Sequence, residues 1–213
     1  MRPPPRLYLI TDRRATGGRS LVEVVSEALA GARGAEESVA VQLREKDLPS
    51  GELFALARAL RDVTAKARVR FFVNDRIEVA LASHADGVHL GNGSLSIAQT
   101  KAIAPALSVA VSTHTRVEVL AAANEGADFV VYGPVFETPS KRGVLPPTGI
   151  AGLSTVCGLG IPVLALGGID TKNAAACLEA GAAGVALIRS VISATNSAQR
   201  VGALLACKPP IET

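Results

Sequence analysis

The sequence is poor in aromatic residues and in net charge, and each shortage excludes a class of protein. It has two tyrosines, five phenylalanines and no tryptophan among 213 residues, whereas 48% of the residues are hydrophobic. Small aliphatic side chains are typical of helices packed on a parallel sheet and disfavour an aromatic-rich β-sandwich. The net charge is only +3, and the basic residues are scattered. We therefore expect neither a nucleic-acid partner nor a membrane partner.

Cysteines and long apolar runs are also scarce. The chain contains three cysteines: Cys157, Cys177 and Cys207. They lie far apart without metal-ligand spacing, and an odd set without a disulfide pattern predicts a reducing compartment. No apolar run approaches the roughly 20 residues of a membrane span, and the proline-rich start is not typical of a signal peptide. We expect a cytoplasmic protein with one domain over residues 1–213, frayed at residues 1–5 and 208–213.

Short apolar runs alternate with stretches of helical periodicity along the chain. The predicted strands cover residues 7–11, 38–43, 70–74, 87–89, 108–112, 129–132, 162–166 and 184–187. The predicted helices cover residues 21–32, 51–66, 76–82, 97–104, 116–125, 150–157, 171–180 and 196–205. The strands are continuously apolar, so both faces must be covered, which indicates a parallel sheet. Eight such units predict a closed (β/α)8 TIM barrel. A doubly wound open sheet is the alternative, but it usually has about five or six strands.

One connection is much longer than the others. About 15 residues without periodicity lie between the strand at 129–132 and the helix that begins near Gly149. Connections in compact domains usually take about 2 to 6 residues, and longer ones are mostly functional or disordered. Four prolines and three glycines within residues 133–149 indicate a shaped, functional loop. A tolerated insertion is the alternative.

Ligands of a TIM barrel bind at the carboxyl ends of its strands, and polar residues follow several predicted strands here. After the second strand, Gln42, Arg44 and Lys46 alternate, so they point to one side if the strand continues. Two of the three are cationic, which favours an anionic ligand over the alternative of a solvated surface run. Further polar residues at strand ends are Asn74, Asp75, His89, Ser112, His114 and Lys141.

Two of these residues are histidines with different expectations. His114 lies two residues beyond Ser112 and just before a helix, where it is placed to move protons near neutral pH. His89 is equally consistent with a functional residue and with a buried, hydrogen-bonded barrel residue.

The last two predicted strands end in a phosphate-binding pattern. Gly167 and Gly168 allow a ligand to approach the backbone, and Ile188 and Arg189 precede another helix. Adjacent helix N-termini after the seventh and eighth strands form the usual phosphate site of such barrels. The alternative is that the glycines serve only the turns.

These residues occur within a series of motifs that resembles one family. The motifs are Gln42-x-Arg44-x-Lys46, Val73-Asn74-Asp75-Arg76, Asp86-Gly87-Val88-His89-Leu90-Gly91, Ser112-Thr113-His114-Thr115, Gly133-Pro134-Val135-Phe136-x-Thr138-x-Ser140-Lys141 and Gly167-Gly168-Ile169. In order and spacing they resemble the thiamine phosphate synthase/TenI family over roughly residues 7 to 194. The resemblance implies a (β/α)8 barrel that binds a thiazole phosphate in thiamine biosynthesis, and a homodimer.

The family contains two activities. The synthase couples hydroxymethylpyrimidine diphosphate to the thiazole phosphate, with Mg²⁺ held by one aspartate after the third strand and another after the fourth. The first corresponds to Asp75, whereas Ser94 replaces the second. One carboxylate fewer should weaken a site for Mg²⁺, so this departure argues against synthase activity.

The other branch, the TenI-like thiazole tautomerase, is an isomerase that moves a proton without diphosphate or metal. The run from Phe136 to Gly149 looks like that branch, and we expect a tautomerase that needs no cofactor, with His114 as general base and then acid. The resemblance implies substrate contacts from Gln42, Arg44, Lys46, Asn74, Ser112, Thr138, Ser140 and Lys141, and phosphate contacts from Gly167, Gly168, Ile188 and Arg189. Thiamine phosphate synthase, with Asp75 and Mg²⁺, is the alternative. A non-catalytic regulator that binds thiazole phosphate is the third hypothesis.

Overall fold

The computed structural model describes residues 3–138 and 145–207. Eight parallel strands close into a barrel in sequence order, which confirms the predicted (β/α)8 TIM barrel. The strands are β1 (Leu7–Ile10), β2 (Val39–Leu43), β3 (Arg70–Asn74), β4 (Gly87–Leu90), β5 (Ser108–Thr113), β6 (Phe129–Tyr132), β7 (Val163–Leu166) and β8 (Gly184–Leu187). All eight strands therefore overlap the predicted ones, with ends that differ by at most one residue.

The α-helices alternate with the strands on the outside of the barrel. They are α1 (Leu21–Ala30), α2 (Ser50–Lys66), α3 (Ile77–Ala82), α4 (Ile97–Ile103), α5 (Arg116–Asn124), α6 (Gly149–Ser154), α7 (Ala174–Glu179), α8 (Arg189–Ile192) and α9 (Ser197–Ala206). Among them, α8 is a short additional helix that the sequence pattern did not predict. Two further 3₁₀ turns cover Arg13–Ala15 and Glu36–Ser38.

Strand residues alternate between two separate apolar clusters. One set, with Leu7, Leu9 and Val41, packs against the surrounding helices, and the other set fills the barrel interior. Tyr8, Phe72 and Phe129 make up much of this interior layer, with ring centroids 5.4–5.6 Å apart in edge-to-face contact. Aromatic pairs prefer this geometry. Three of the seven aromatic residues thus fill part of the barrel interior.

Two helices begin at the predicted residue with a polar cap, and a third begins later than predicted. Ser96 and Thr115 form capping boxes at α4 and α5, which satisfy otherwise unpaired N–H groups. The helix predicted from residue 171 begins only at Ala174. Asp170 accepts a hydrogen bond from the backbone of Lys172 at 2.7 Å, and its own N–H donates to the Asn173 side chain at 2.9 Å. These bonds stabilise a turn that competes with helix at that point.

The amino-terminal residues that the structure describes contact the bottom of the barrel. Pro5 is buried, and the N–H of Arg6 donates to Ser38 at 2.8 Å. Within residues 3–138 and 145–207, no helix is long and apolar enough to cross a membrane.

Candidate active site

A cavity of about 570 Å³ opens at the carboxyl ends of the strands. The predicted site residues that line it are Gln42, Arg44, Lys46, Asn74, Ser112, His114, Thr138, Gly167, Gly168, Ile188 and Arg189. Ser140 and Lys141, also predicted, lie outside the described residues. Asp75 lies beside the cavity and is not one of the lining residues. The volume is within the range of small-molecule sites.

The end of β2 directs its charged residues to two sides. Glu45 is only 5% exposed and accepts hydrogen bonds from Thr11 Oγ1 at 2.8 Å and from the N–H of Arg13 at 3.0 Å. The Arg13 side chain adds an ion pair at 3.2 Å. Arg44 and Lys46 line the cavity and have no salt-bridge partner in the described part of the chain. The anion is thus neutralised within the protein, and two cations remain for a ligand.

Gln42 and Asn74 add a polar amide pair beside these cations. The Gln42 side chain is 1% exposed, and its Nε2 donates to Asn74 Oδ1 at 3.1 Å. Its Oε1 is buried without a hydrogen-bond partner among the described residues. A buried polar atom without a partner is costly, so this oxygen is suited to accept a hydrogen bond from a bound ligand.

Asp75 and Ser94 form a hydrogen-bonded pair at the position where the resemblance predicts a metal ligand. Asp75 has a φ of +65°, a left-handed conformation that aspartate tolerates better than most residues. Ser94 Oγ accepts from the N–H of Gly91 at 2.7 Å and donates to the Asp75 carboxylate. No cluster of three or more His, Cys, Asp or Glu side chains in the described ranges could hold a metal ion. The donor set fits a Mg²⁺ bound by one carboxylate and by ligand phosphate oxygens, a common arrangement for this ion.

His89 is a buried barrel residue that also lines the cavity. Its Nδ1 lies 3.3 Å from the Tyr8 hydroxyl, its Nε2 lies 2.8 Å from Ser112 Oγ, and its ring stacks on Tyr8. Burial lowers the pKa of His89 to about 3, with a further contribution from the positive charges of Arg44 and Lys46. The ring is therefore neutral near pH 7.

His114 is held by the backbone of the next strand. Its Nδ1 contacts the carbonyl oxygen of Gly133, which can only accept, so Nδ1 carries the proton. In the neutral ring, Nε2 is then an acceptor. The N–H of His114 donates to Glu118, which also caps α5. The strand end and the helix start together fix the position of this ring at the cavity.

The glycines after β7 lie directly against the start of the long β6–α6 connection. Gly167 and Gly168 have φ angles of +105° and +64°, and a side chain on Gly168 would collide with Phe136 and with the backbone of Glu137. Glycine adopts such angles without strain. The helix predicted to begin at residue 171 does not supply N–H groups here, because α7 begins at Ala174. An anion in this part of the cavity could therefore contact the backbone around these glycines and at the start of α8.

Both described ends of the long connection are anchored. The N–H groups of Val135 and Phe136 donate to Leu166 and Gly167 at 2.8 and 3.0 Å. The N–H group of Gly149 donates back to Val135 at 2.9 Å. Lys141, the predicted substrate contact, lies outside the described residues, but the segments on either side of that gap are fixed at the cavity edge.

Some residues at the cavity were missed by the sequence analysis. Asp12 and Asn92 line it. Tyr8 contacts the lining residue His89, and Glu45 binds Thr11, which in turn accepts from the N–H of the lining residue Arg44. Asp12 follows β1 directly, so the rule of polar residues at strand ends could have found it. Tyr8 carried no such signal, because it lies within an apolar strand and its partner is 81 positions away.

The fold and the cavity define the protein as a TIM barrel with a cavity of small-molecule size at the carboxyl ends of its strands. The chain belongs to the family whose model is described as thiamine monophosphate synthase, which matches residues 7–191.

Individual relatives support this assignment. A protein of Geobacter sulfurreducens is 47% identical over 206 residues, covering 96% of this chain and 94% of that protein. The thiamine-phosphate synthase of Roseiflexus castenholzii is 43% identical over 192 residues, covering 89% of this chain and 82% of that protein. Among solved structures, thiamine phosphate pyrophosphorylase from Pyrococcus furiosus is 38% identical and superimposes with a TM-score of 0.83, covering 94% of this chain and 93% of that one.

These relatives correct the predicted activity. The expected thiazole tautomerase, an isomerase, is wrong, because relatives matching most of the chain are named as synthases. The prediction rested on one loop and on the absence of one carboxylate at Ser94. A single altered position lies within the variation expected at 37–47% identity, so it does not separate the two activities.

Proposed function

We propose that the protein is a thiamine-phosphate synthase, a transferase that joins hydroxymethylpyrimidine diphosphate to a thiazole phosphate. The observation that carries this proposal is that one cavity holds two anion-binding sides. The β2–β4 side consists of Gln42, Arg44, Lys46 and Asn74. The β7–β8 side consists of Gly167, Gly168, Ile188 and Arg189. In a closed ring of eight strands β3 and β7 are opposite each other, as two phosphorylated substrates would require.

The β2–β4 side is suited to the diphosphate. When the bond between the pyrimidine methylene carbon and the diphosphate oxygen breaks, negative charge develops on the leaving diphosphate. Arg44 and Lys46 lie where they can stabilise that charge, and preorganised cations lower a barrier because they need no rearrangement during the reaction. Lys141 is predicted to add a third cation. Mg²⁺, when bound through Asp75 and the diphosphate, would supply further positive charge.

The β7–β8 side is suited to the monophosphate of the thiazole. Its backbone N–H groups can donate to phosphate oxygens without a side chain between them. With the phosphate held there, the thiazole nitrogen faces across the cavity and can form the new bond to the methylene carbon. Ser112, His114, Thr138 and Ser140 are the remaining predicted substrate contacts. Because His114 Nδ1 donates to Gly133, Nε2 of the neutral ring is suited to accept a hydrogen bond from the pyrimidine amino group.

The experiment supplies the purified protein with both substrates and Mg²⁺ and measures thiamine phosphate by chromatography and diphosphate release by a coupled assay. We expect equal amounts of both products. Binding of each substrate alone is measured by calorimetry. If both substrates bind and no thiamine phosphate forms, the protein is not a synthase, and the non-catalytic regulator becomes the better hypothesis. The expected homodimer stays a prediction, for which sedimentation is the measurement.

A further inference from the structure

A hydrogen-bonded chain runs from the barrel interior to the cavity wall. Tyr8 is fully buried in the barrel interior, His89 is 2% exposed, and Ser112 is half-buried and lines the cavity. The Tyr8 hydroxyl lies 3.3 Å from His89 Nδ1, and His89 Nε2 lies 2.8 Å from Ser112 Oγ. The chain therefore links three strands, β1, β4 and β5, and only its last member reaches a ligand.

The direction of these hydrogen bonds follows from the partners available to Tyr8. If His89 Nδ1 donated to the tyrosine oxygen, the Tyr8 proton would need another acceptor. No second hydrogen-bond partner of Tyr8 occurs in the described part of the chain. Its surroundings are the apolar side chains of the barrel interior and the positive charge of Arg70, whose guanidinium can only donate. Leaving a buried hydroxyl without an acceptor costs about 1–3 kcal/mol. Tyr8 therefore donates to Nδ1.

The rest of the chain follows from the chemistry of imidazole. With its Nδ1 lone pair occupied, a neutral His89 carries its proton on Nε2 and donates it to Ser112 Oγ. Burial raises the pKa of Tyr8 well above its usual value, so the phenol keeps its proton. A doubly protonated ring would also donate from Nε2, so the direction at Ser112 is the same in either charge state.

We propose that Tyr8 and His89 are positioning residues that fix the hydroxyl of Ser112 as a hydrogen-bond donor to the substrate. The Ser112 oxygen accepts from His89, which leaves its own proton for the cavity. The group opposite must then be an acceptor, such as a diphosphate oxygen or a pyrimidine ring nitrogen. A site with an obligatory donor strongly rejects analogues that lack the acceptor. The choice of ligand atom rests on the proposed function, whereas the direction of the chain does not.

The first test reads the tautomer of His89 directly. Imidazole ¹⁵N NMR spectra are recorded on the full-length protein with labelled histidine, and the His89 signals are assigned by their loss in His89→Gln. We expect a protonated Nε2 and an unprotonated Nδ1 for His89. A proton on Nδ1 instead would overturn the proposal, whether or not the protein is a synthase.

The second test asks whether Tyr8 acts through Ser112. Tyr8→Phe removes only the hydroxyl, so both tautomers of His89 become populated, and we expect affinity for the pyrimidine diphosphate to fall about tenfold. In a Ser112→Ala background the same change should have almost no effect. Equal losses in both backgrounds would assign Tyr8 a purely structural role and contradict the proposal. His89→Gln, whose amide nitrogen can donate near the position of Nε2, should retain more affinity than His89→Leu.

Two probes distinguish the ligand atom. Inorganic diphosphate and unphosphorylated hydroxymethylpyrimidine are titrated separately into the wild type and Ser112→Ala. A loss confined to diphosphate assigns the contact to a phosphate oxygen, and a loss confined to the pyrimidine assigns it to a ring nitrogen. If Ser112→Ala weakens neither probe, Ser112 is not the donor. Wild-type protein that binds neither probe would count against the proposed function, while the NMR result still decides the direction of the chain.

Discussion

The two sides of the cavity offer different groups to an anion. On the β2–β4 side, Arg44 and Lys46 bring full charges on side chains. On the β7–β8 side, Gly167 and Gly168 bring the backbone within reach, in conformations that other residues seldom adopt. A charged side chain can be truncated while its backbone keeps its course. A backbone site is instead lost when the backbone conformation changes. Shortening a side chain should therefore weaken the β2–β4 side, and adding a side chain at a glycine should weaken the β7–β8 side.

The largest effect is expected from removing a cation on the β2–β4 side. Arg44→Met should lower kcat/KM for the diphosphate substrate by about tenfold to 150-fold, because a hydrogen bond to a charged group contributes about 1.5–3 kcal/mol. Steady-state kinetics with each substrate varied in turn measures this effect. Arg58→Met, which removes an exposed cation from α2, is the matched control and should leave kcat/KM unchanged. Equal losses of binding affinity for the two substrates, each measured alone by calorimetry, would contradict the division between the two sides.

The next largest effect is expected from Gly168→Ala on the other side. Its φ of +64° disfavours alanine, and the new Cβ would collide with Phe136 and Glu137. We expect KM for the thiazole phosphate to rise tenfold or more, while affinity for inorganic diphosphate is retained.

Gly158→Ala is the matched control for this change. Gly158 has a φ of +86°, and a Cβ there would meet no atom within 4 Å. It should lose stability, by about 1–2 kcal/mol for the left-handed conformation, without a change in KM. If Gly158→Ala raised KM as much as Gly168→Ala does, the effect would be general strain and not the loss of a phosphate site.

A smaller effect concerns the proposed Mg²⁺ site beside the cationic side. Ser94→Asp places a second carboxylate next to Asp75, and two carboxylates should bind Mg²⁺ better than one. Calorimetric titration of Mg²⁺ in the presence of inorganic diphosphate should show about tenfold tighter binding. Ser96→Asp adds the same charge two residues away and keeps the α4 cap, since aspartate is also a good cap. Identical gains in the two variants would mean that only net charge matters.

The smallest effect is expected in the dependence of stability on pH, and it arises from His89 next to the cationic side. The pKa of this residue is lowered to about 3 by burial and by Arg44 and Lys46, whereas an unfolded histidine titrates near pH 6.5. As pH falls below about 6.5, the unfolded chain binds a proton that the folded chain does not. The free energy of unfolding should then fall by up to about 1.4 kcal/mol per pH unit until about pH 3.

Urea unfolding at pH 7, 6 and 5 measures this dependence. Between pH 7 and pH 5 the wild type should lose about 1–2 kcal/mol more than His89→Gln, which has no such proton to exclude. His84→Asn, a change at an exposed histidine with a φ of +53°, should keep the wild-type slope. Parallel slopes for wild type and His89→Gln would show that His89 does not contribute.

Most of the fold and much of the candidate site could be predicted from the sequence. Continuous apolar strands of four to six residues and one-sided helices are local patterns, and they predicted every strand of the barrel. Because ligands of a TIM barrel bind at strand ends, the sequence also predicted that Gln42, Arg44 and Lys46 lie at one site with the residues after β7 and β8. All of them line the same cavity. The additional helix α8 was missed because four residues are too few to show a helical period.

The activity was harder to infer from local patterns than the fold. The sequence of one loop and the serine at position 94 favoured the wrong branch of the family. A motif shows which side chains are near a site, but it does not show how many carboxylates the reaction needs. The comparison with relatives covers most of the chain, so it does not depend on one loop or one position, and these relatives are named as synthases.

By itself, the sequence determined the barrel, the position of the cavity and the polar side chains around it, since each depends on hydrophobic period and on strand ends. Only the tertiary structure decided which of those side chains pair. The bonds from Tyr8 to His89 and from His89 to Ser112 join residues that are 81 and 23 positions apart in the sequence. The bond from Ser94 to Asp75 joins residues that are 19 positions apart. Such contacts form when the barrel closes and neighbouring strands set which side chains meet, and no local pattern of residues records that register.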